Sequence, residues 1–326
     1  MFTDTCRTFG SGVVQPFNGS SFCVRSNCMF LLTHFTHHRV ECDITIRRED
    51  DGLLVRVEII INKVRTVVQN GSILVEGKSV SLPYDHTYQH IFQYGIYTKL
   101  KSSLLPLSVT WHSVPGGVDT LWVELEQELS TDMTGLCGKH TTQEFTMFMK
   151  TGNKQQLITE SELADDTCQT RDPFSAVNQA CRELFSYTLE CLQAQTPQYI
   201  QLCEENIYGY ETSKYISCAF FKEVVQQCGD NSHAWDIWRT VTHCDEPRCP
   251  GNLVYVELGA AFVPSCSNQN PTSSNQELTS SCVCPQDKVL NDHEDSYQCV
   301  SVSSCLCVFA GKSYSPGDIL GTKCQS

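Results

Sequence analysis

No run of apolar residues in this chain approaches the ~18–20 that a membrane-spanning helix needs. The richest stretch, Leu53 to Ile61, is interrupted by Arg56 and Glu58. Positive charge is also scarce: 23 Lys and Arg face 37 Asp and Glu, a formal net charge of −14. That balance argues against a nucleic-acid partner and against a chain held on anionic lipid, and no membrane insertion is expected. Two cysteines at CxxC spacing occur nowhere. A structural zinc site therefore lacks its usual ligand pairs, and Cys282-Val-Cys284 and Cys305-Leu-Cys307 suit disulfide-knotted loops instead. Catalytic templates are missing as well. Gly10-Ser-Gly12 lacks the outer spacing of a nucleophile elbow, and there is no His-Glu-x-x-His, phosphate loop or dinucleotide fingerprint. Asp165-Asp166 sits in a polar connection and reads as solvated charge. No enzyme and no cofactor are expected. Met1-Phe-Thr-Asp-Thr-Cys6 carries no apolar leader, so the sequence is expected to be a fragment, or an isoform, of something longer.

What is plentiful is cysteine, and it is unevenly spread. Residues 1–167 hold five of the 20, and residues 168–326 hold fifteen, the density of a disulfide scaffold. Such a density favours an oxidising, extracellular compartment and predicts a secreted protein. From Val40 to about Leu129 the pattern is β. Val55, Val57, Ile59 and Ile61 alternate with polar neighbours, and Asp51-Gly52, Asn70-Gly71 and Gly116-Gly117 punctuate the run as hairpin dipeptides. Val109 and Trp111 should face Leu121, Val123 and Leu125 across the last of these. An antiparallel all-β sandwich with an aliphatic core is predicted. After Cys168 the period lengthens: Ile216, Phe220 and Val224 recur every four residues, and Val177 to Phe185 is similar, predicting a small disulfide-stapled helical module. Beyond Cys244 periodicity fades into Ser, Asn, Pro and Gly, as in a loop-rich, disulfide-rich module with too little apolar surface to fold alone. The fold class is therefore multi-domain.

The order of the motifs is more specific than any one of them. Cys6-Arg-Thr-Phe-Gly, Phe17-Asn-Gly and Cys28-Met-Phe precede the β stretch, and Gly135-Leu-Cys137-Gly follows it. This resembles the von Willebrand type D domain. The segment Cys168 to Cys244, with Trp238-Arg239 near its end, resembles the eight-cysteine module that follows that domain. Cys249-Pro-Gly-Asn-Leu-Val-Tyr, Cys282-Val-Cys-Pro and Cys305-Leu-Cys resemble a trypsin-inhibitor-like module and the start of another. The whole chain is similar to one D assembly of the gel-forming mucin, von Willebrand factor and otogelin group. The boundaries that follow are 1–150 for the β domain, 151–167 for a connection, 168–244 for the helical module, 245–305 for the trypsin-inhibitor-like module and 306–326 for the next.

By the same resemblance Cys6 would pair with Cys137, and Cys28 with Cys168. The family's Cys-Gly-Leu-Cys is Thr134-Gly-Leu-Cys137 here, and its partner cysteine near Thr36 is absent too, so one bridge is deleted as a pair. Cys23 and Cys42 have no counterpart; they could bridge neighbouring strands if their Cα atoms come within ~7 Å. The family's calcium loop here reads Lys139-His-Thr-Thr-Gln-Glu144, and its Asp is Asn18. Calcium takes six to eight hard oxygens, several anionic, so a loop with Glu144 as its one carboxylate is expected to bind no metal. Asn18-Gly-Ser20 and Asn70-Gly-Ser72 are glycosylation sequons, with Asn70, at a hairpin tip, the better candidate and Asn18 the second. His34, His37 and His38 cluster near a strand start. Successive strand residues point to opposite faces, so His37 and His38 are expected to diverge as solvated or partner-facing groups.

The function expected is that of a non-enzymatic extracellular structural module of a mucin-like or matrix glycoprotein. Its partners would be like D assemblies or other secreted glycoproteins, with a disulfide-linked homo-oligomer where a cysteine lacks an internal partner. Two alternatives stand. Protease inhibition would use an exposed loop, but Ser267 to Ser281 offers no Arg or Lys to anchor a trypsin-like enzyme. Ligand capture by the β domain is the other.

Overall fold

The computed structural model describes residues 4–127, 129, 132–138, 158, 161–163, 167–172, 174, 176–229, 233–271, 277–293, 297–310 and 312–319. The chain divides into two compact units. One comprises residues 1–92 with 97–245, and the other residues 93–96 with 246–326.

In the first unit, β1 (Asp4–Phe9), β2 (Val13–Gln15), β3 (Phe22–Cys23) and β4 (Arg25–Ser26) are followed by a meander of β5 (Met29–His37), β6 (Val40–Arg48), β7 (Leu54–Ile61), β8 (Val64–Gln69), β9 (Ser72–Val75) and β10 (Lys78–Ser79). β11 (Tyr84–Asp85), β12 (Gln89–Tyr94, whose last two residues are counted in the other unit), β13 (Tyr97–Ser102), β14 (Leu107–Val114) and β15 (Gly117–Leu125) complete it. All pairings are antiparallel. β5 to β10 form one arm, β3-β2-β1-β15-β14-β13-β12-β11 the other, and Val118 opposite Leu54 joins them at a corner. Ile44, Ile59 and Ile61 from the first arm and Leu100, Val109, Trp111, Leu121 and Val123 from the second share one buried cluster.

The alternation that predicts β7 is kept with one displacement. Val57, Ile59 and Ile61 are buried, but the inward residue before them is Leu54, and Val55 is only half-buried. The cause is a bulge: Arg47 pairs with Arg56 and Arg48 with Leu54, so Val55 drops out of the ladder. Across β14 and β15, Val109 faces Val123 and Trp111 faces Leu121. The turn between them is Pro115-Gly116 rather than Gly116-Gly117, because Gly117 already pairs with Val114 and Gly116 carries the positive φ of 97°. Asn70-Gly71 has φ of 52° and 70°, the mirror-image turn that matches strand twist. His38-Arg39 and Asn62-Lys63 make the same turn without glycine, at φ of 48° and 66°, and 49° and 70°.

Among the described residues four helices follow: α1 (Gln179–Leu192), α2 (Thr196–Ile207), α3 (Lys214–Gln226) and α4 (His233–Thr242). The Val177 end of the predicted helix is corrected, since Val177 is 72% exposed and the Asn178 carboxamide oxygen accepts from the Cys181 amide, as an N-cap does. Both α2 and α4 went unpredicted. The helical segment does not form a core apart from the sheet. In β2, Val14 points into the sandwich and Val13 into the helices; in β3, Phe22 and Cys23 divide the same way. Phe9, Val13 and Cys23 thus share a cluster with Leu184, Phe185, Phe220 and Trp238. Covering by α3 also explains why β15 is buried on both faces from Val118 to Val123.

Among its described residues the second unit holds three short ladders. β16 (Thr170–Arg171), still in the first unit, pairs with β4, and thereafter β17 (Val254–Ala260) pairs with β18 (Leu278–Val283). β19 (Lys288–Leu290) pairs with β20 (Cys299–Ser301), and β21 (Cys307–Phe309) with β22 (Lys312–Tyr314). The loop-rich region thus holds more strand than its sequence pattern shows. Among the described residues its buried apolar side chains are few: Tyr255, Ala261, Val289 and Cys299.

Candidate functional site: the cystine framework and its thiols

Among the described residues, eight disulfides form a framework. Cys6–Cys137 and Cys28–Cys168 span 131 and 140 residues and tie the two ends of the β region together. The segment from Thr134 to Cys137 is also laid along β5: the Thr134 and His34 amides donate to each other's carbonyls at 3.0 and 3.1 Å, and the Cys137 amide donates to the Leu32 carbonyl at 2.8 Å. The sheet edge is thereby covered, which removes a template for unspecific pairing. Cys181–Cys203, Cys191–Cys228 and Cys218–Cys244 staple the helices, with separations of 22, 37 and 26 residues. Cys249–Cys282, Cys266–Cys305 and Cys284–Cys299 close the second unit.

A bridge between Cys23 and Cys42 is not made, and this expectation is corrected. Cys42 is a free, fully buried thiol on the inner face of β6, within the sandwich core. Cys23 points the other way, into the core shared with the helices. Side-chain alternation directs the two into different layers, so the number of residues between them is irrelevant. Burial, with a smaller contribution from neighbouring Asp43, pushes the Cys42 thiol far above its ordinary value and leaves it inert. Cys307 is different: it is a free thiol and it is exposed. It lies at the start of β21, two residues after Cys305, which is bonded to Cys266. Cys324 lies outside the described residues.

Gly10-Ser-Gly12 proves to be a structural seam. A β-carbon on Gly12 would overlap the Val24 carbonyl, and one on Gly10 would overlap the Asn206 carboxamide. Between them, the Ser11 amide donates to Asn206 Oδ1 at 2.7 Å and the Ser11 hydroxyl to the Asn206 carbonyl at 2.8 Å. Asn206 belongs to α2, so these bonds seat a helix on the turn after β1. Arg48, 5% exposed at an inward position of β6, supports the same turn. Its guanidinium donates to the carbonyls of Gly10 and Gly52 at 2.6 and 2.7 Å and to the Thr8 hydroxyl at 2.8 Å. Burial lowers its pKa to about 10, with Cys23, Tyr210, Asp119 and Asp51 opposing the shift, so it stays charged at neutral pH. Arg7 Nη1 donates to Glu223 of α3 at 2.8 Å, and its guanidinium lies 5.3 Å from the Trp122 ring centre. Sequence reasoning passed over Arg48, Asn206 and Glu223 because each takes at least one partner from a distant segment.

Asn18 is exposed on the loop after β2, where the Phe17 amide donates to the Cys137 carbonyl at 3.4 Å. Glu144 and the loop from Lys139 lie outside the described residues. Groups of three or more His, Cys, Asp or Glu among the described residues are Cys28–Glu162–Cys168, whose cysteines are in a disulfide, and His34–Glu41–Asp43. The expectation of no metal at the Lys139–Glu144 loop concerns residues that lie outside those described. His34 Nδ1 lies 2.6 Å from Asp43 Oδ1, its cross-strand partner. The expected divergence of His37 and His38 is corrected: His38 occupies the tight turn, and the two rings meet edge to face with centres 4.0 Å apart. Asn70 is exposed at the β8–β9 tip. In the Ser267–Ser281 stretch, residues 272–276 lie outside the described residues, while Ser280 and Ser281 are buried in β18.

No helix among the described residues is long and apolar enough to cross a membrane. Residues 6–153 match the model of the von Willebrand factor type D domain family. Homo sapiens mucin-6 is 28% identical over 343 residues, covering 98% of this chain and 14% of mucin-6. Homo sapiens mucin-5AC is 27% identical over 98% of this chain and 6% of its own length. Rattus norvegicus mucin-2 is 28% identical over 77% of this chain and 17% of its own length. The chain therefore spans less than a fifth of the length of each of these three relatives.

Proposed function

We propose, for a chain that carries a von Willebrand factor type D domain and is related to mucins along nearly its whole length, that it works as a non-enzymatic extracellular module supporting disulfide-linked assembly of a mucin-like glycoprotein. The observation that carries this reading is the contrast among its thiols. Sixteen cysteines are closed into eight disulfides, Cys42 is sealed in a core, and Cys307 is presented to solvent. An exposed thiol in an oxidising compartment is consumed by another thiol or disulfide. Among the described residues no other free thiol is exposed, so the partner proposed is a second secreted chain, with a like assembly the simplest. Cys307 thiolate attack on a mixed disulfide that the partner's Cys307 has formed with a small thiol joins the chains and releases the small thiolate, which keeps the redox balance and leaves all eight intrachain bonds in place.

Adhesion and packing would then follow from the rigid surface that the framework holds in place. The proposal contains no calcium-dependent step. Its test is the mass of secreted protein under denaturing, non-reducing conditions. The wild type is expected to run partly as a dimer that dithiothreitol converts to monomer, and C307S as monomer only. A wild type that is wholly monomeric, or a C307S dimer of unchanged yield, contradicts it.

A further inference from the structure

The β8–β9 hairpin borders an open cavity of about 280 Å³ at the mouth of the sandwich, between β8–β10 and β13–β14. Its apolar wall is Ile73, Val80 and Leu82, all half-buried, with Trp111 behind them. Its rim carries the hydroxyls of Ser72, Ser79 and Ser113, and no charged side chain lines it. A neutral lining disfavours phosphate, carboxylate or cation, which need compensating charge once partly desolvated. Apolar walls with a hydroxyl rim match a neutral sugar, whose C–H faces are apolar and whose edges are hydroxylated.

A tethered sugar is available at the rim itself. The sequon Asn70-Gly71-Ser72 forms the tip of this hairpin, and its own Gly71 and Ser72 line the cavity. Asn70 is exposed, the Gln69–Ser72 pair fixes the turn, and nothing lies within 4 Å of where a β-carbon on Gly71 would sit, so access is open. We propose that Asn70 carries an N-linked glycan whose first sugar seats in this cavity and shields Ile73, Val80 and Leu82. The modification joins Asn70 Nδ2 to C1 of the reducing-end sugar of a lipid-pyrophosphate-linked oligosaccharide. The C1–O bond to phosphate breaks, its electron pair leaves with the lipid pyrophosphate, and one Nδ2 proton passes to solvent. The inference rests on the secretory reading above and goes beyond it.

The experiment uses the full chain secreted from an animal cell line behind an added signal peptide. Glycopeptide mass spectrometry reads occupancy at Asn70, and peptide-N-glycosidase release is timed on native and on denatured protein. Occupancy is expected, with native release slower than denatured release by about tenfold or more, because a seated sugar is cut only after it lifts out. V80S, which removes part of the apolar wall, should release faster than wild type at equal occupancy. S72T, which keeps the sequon, should match wild type in thermal stability, and S72A should fall below it. A secreted chain with Asn70 bare, or with native and denatured release closer than about tenfold, overturns the seated glycan and leaves the assembly reading untouched. Retention in the cell with reduced thiols would overturn both.

Discussion

The sandwich and the second unit use the same covalent bond for different purposes. In the sandwich, Cys6–Cys137 and Cys28–Cys168 close spans of 131 and 140 residues around a core that includes Ile44, Ile59, Trp111 and Leu121. Those bonds pin the ends of a fold that already buries a large apolar surface. In the second unit, Cys249–Cys282, Cys266–Cys305 and Cys284–Cys299 close spans of 33, 39 and 15 residues around a core that, among the described residues, is reduced to Tyr255, Ala261, Val289 and Cys299 itself. There the disulfides replace a core. The helices stand between, with three cystines and a full apolar cluster borrowed in part from Phe9 and Val13. Cysteine density therefore reports how little apolar surface a segment can bury.

The comparison breaks most visibly under reduction. With dithiothreitol, amides of β17 to β20 should lose all protection in hydrogen exchange, while those of β6, β7, β14 and β15 keep theirs. Equal loss in both units would show that the sandwich also depends on its bonds. Next in size is W111A, which empties a fully buried site of the sandwich and should cost about 3–5 kcal/mol in urea unfolding. Protection in the second unit should be unchanged by it. N206A removes the acceptor of the Ser11 amide and should cost about 1–3 kcal/mol, loosening α2 before the sheet. Parallel loss of β15 and α2 protection would instead make the seam indispensable to the sandwich.

The smallest effect is electrostatic. Burial raises the Glu58 pKa, but hydrogen bonds and charge from Arg65 and Arg56 outweigh it and hold the carboxyl below its ordinary value. A depressed carboxylate contributes stability above its unfolded pKa of ~4.3 and loses it as pH falls through the folded value. E58Q should therefore cost no more than about 1 kcal/mol at neutral pH, with the difference from wild type vanishing in acid. A deficit independent of pH would assign the loss to packing.

Much of the sandwich was legible in the sequence because period two is a local signal. The bulge at Val55 was not, since it is set by how Arg48 and Leu54 register across a strand pair. Tyr199, Leu202, Cys203 and Asn206 do recur on one face of α2, but buried Glu205 and Asn206 dilute the apolar stripe. The seam at Gly10-Ser-Gly12 was visible as a motif and opaque as a role, because Asn206 and Arg48 reach it from 195 and 38 residues away. For Cys23 and Cys42, counting residues suggested a bridge, whereas the face each occupies decides against one.

The most direct test of the account is a peptide map of every cystine in the secreted chain, digested without reduction after alkylation of free thiols. The expected map holds the eight intrachain bonds, an alkylated Cys42 accessible only after denaturation, and Cys307 in a peptide linked to a second chain. Cys307 bonded to Cys324 of its own chain, or alkylated in full in the native protein, would contradict it.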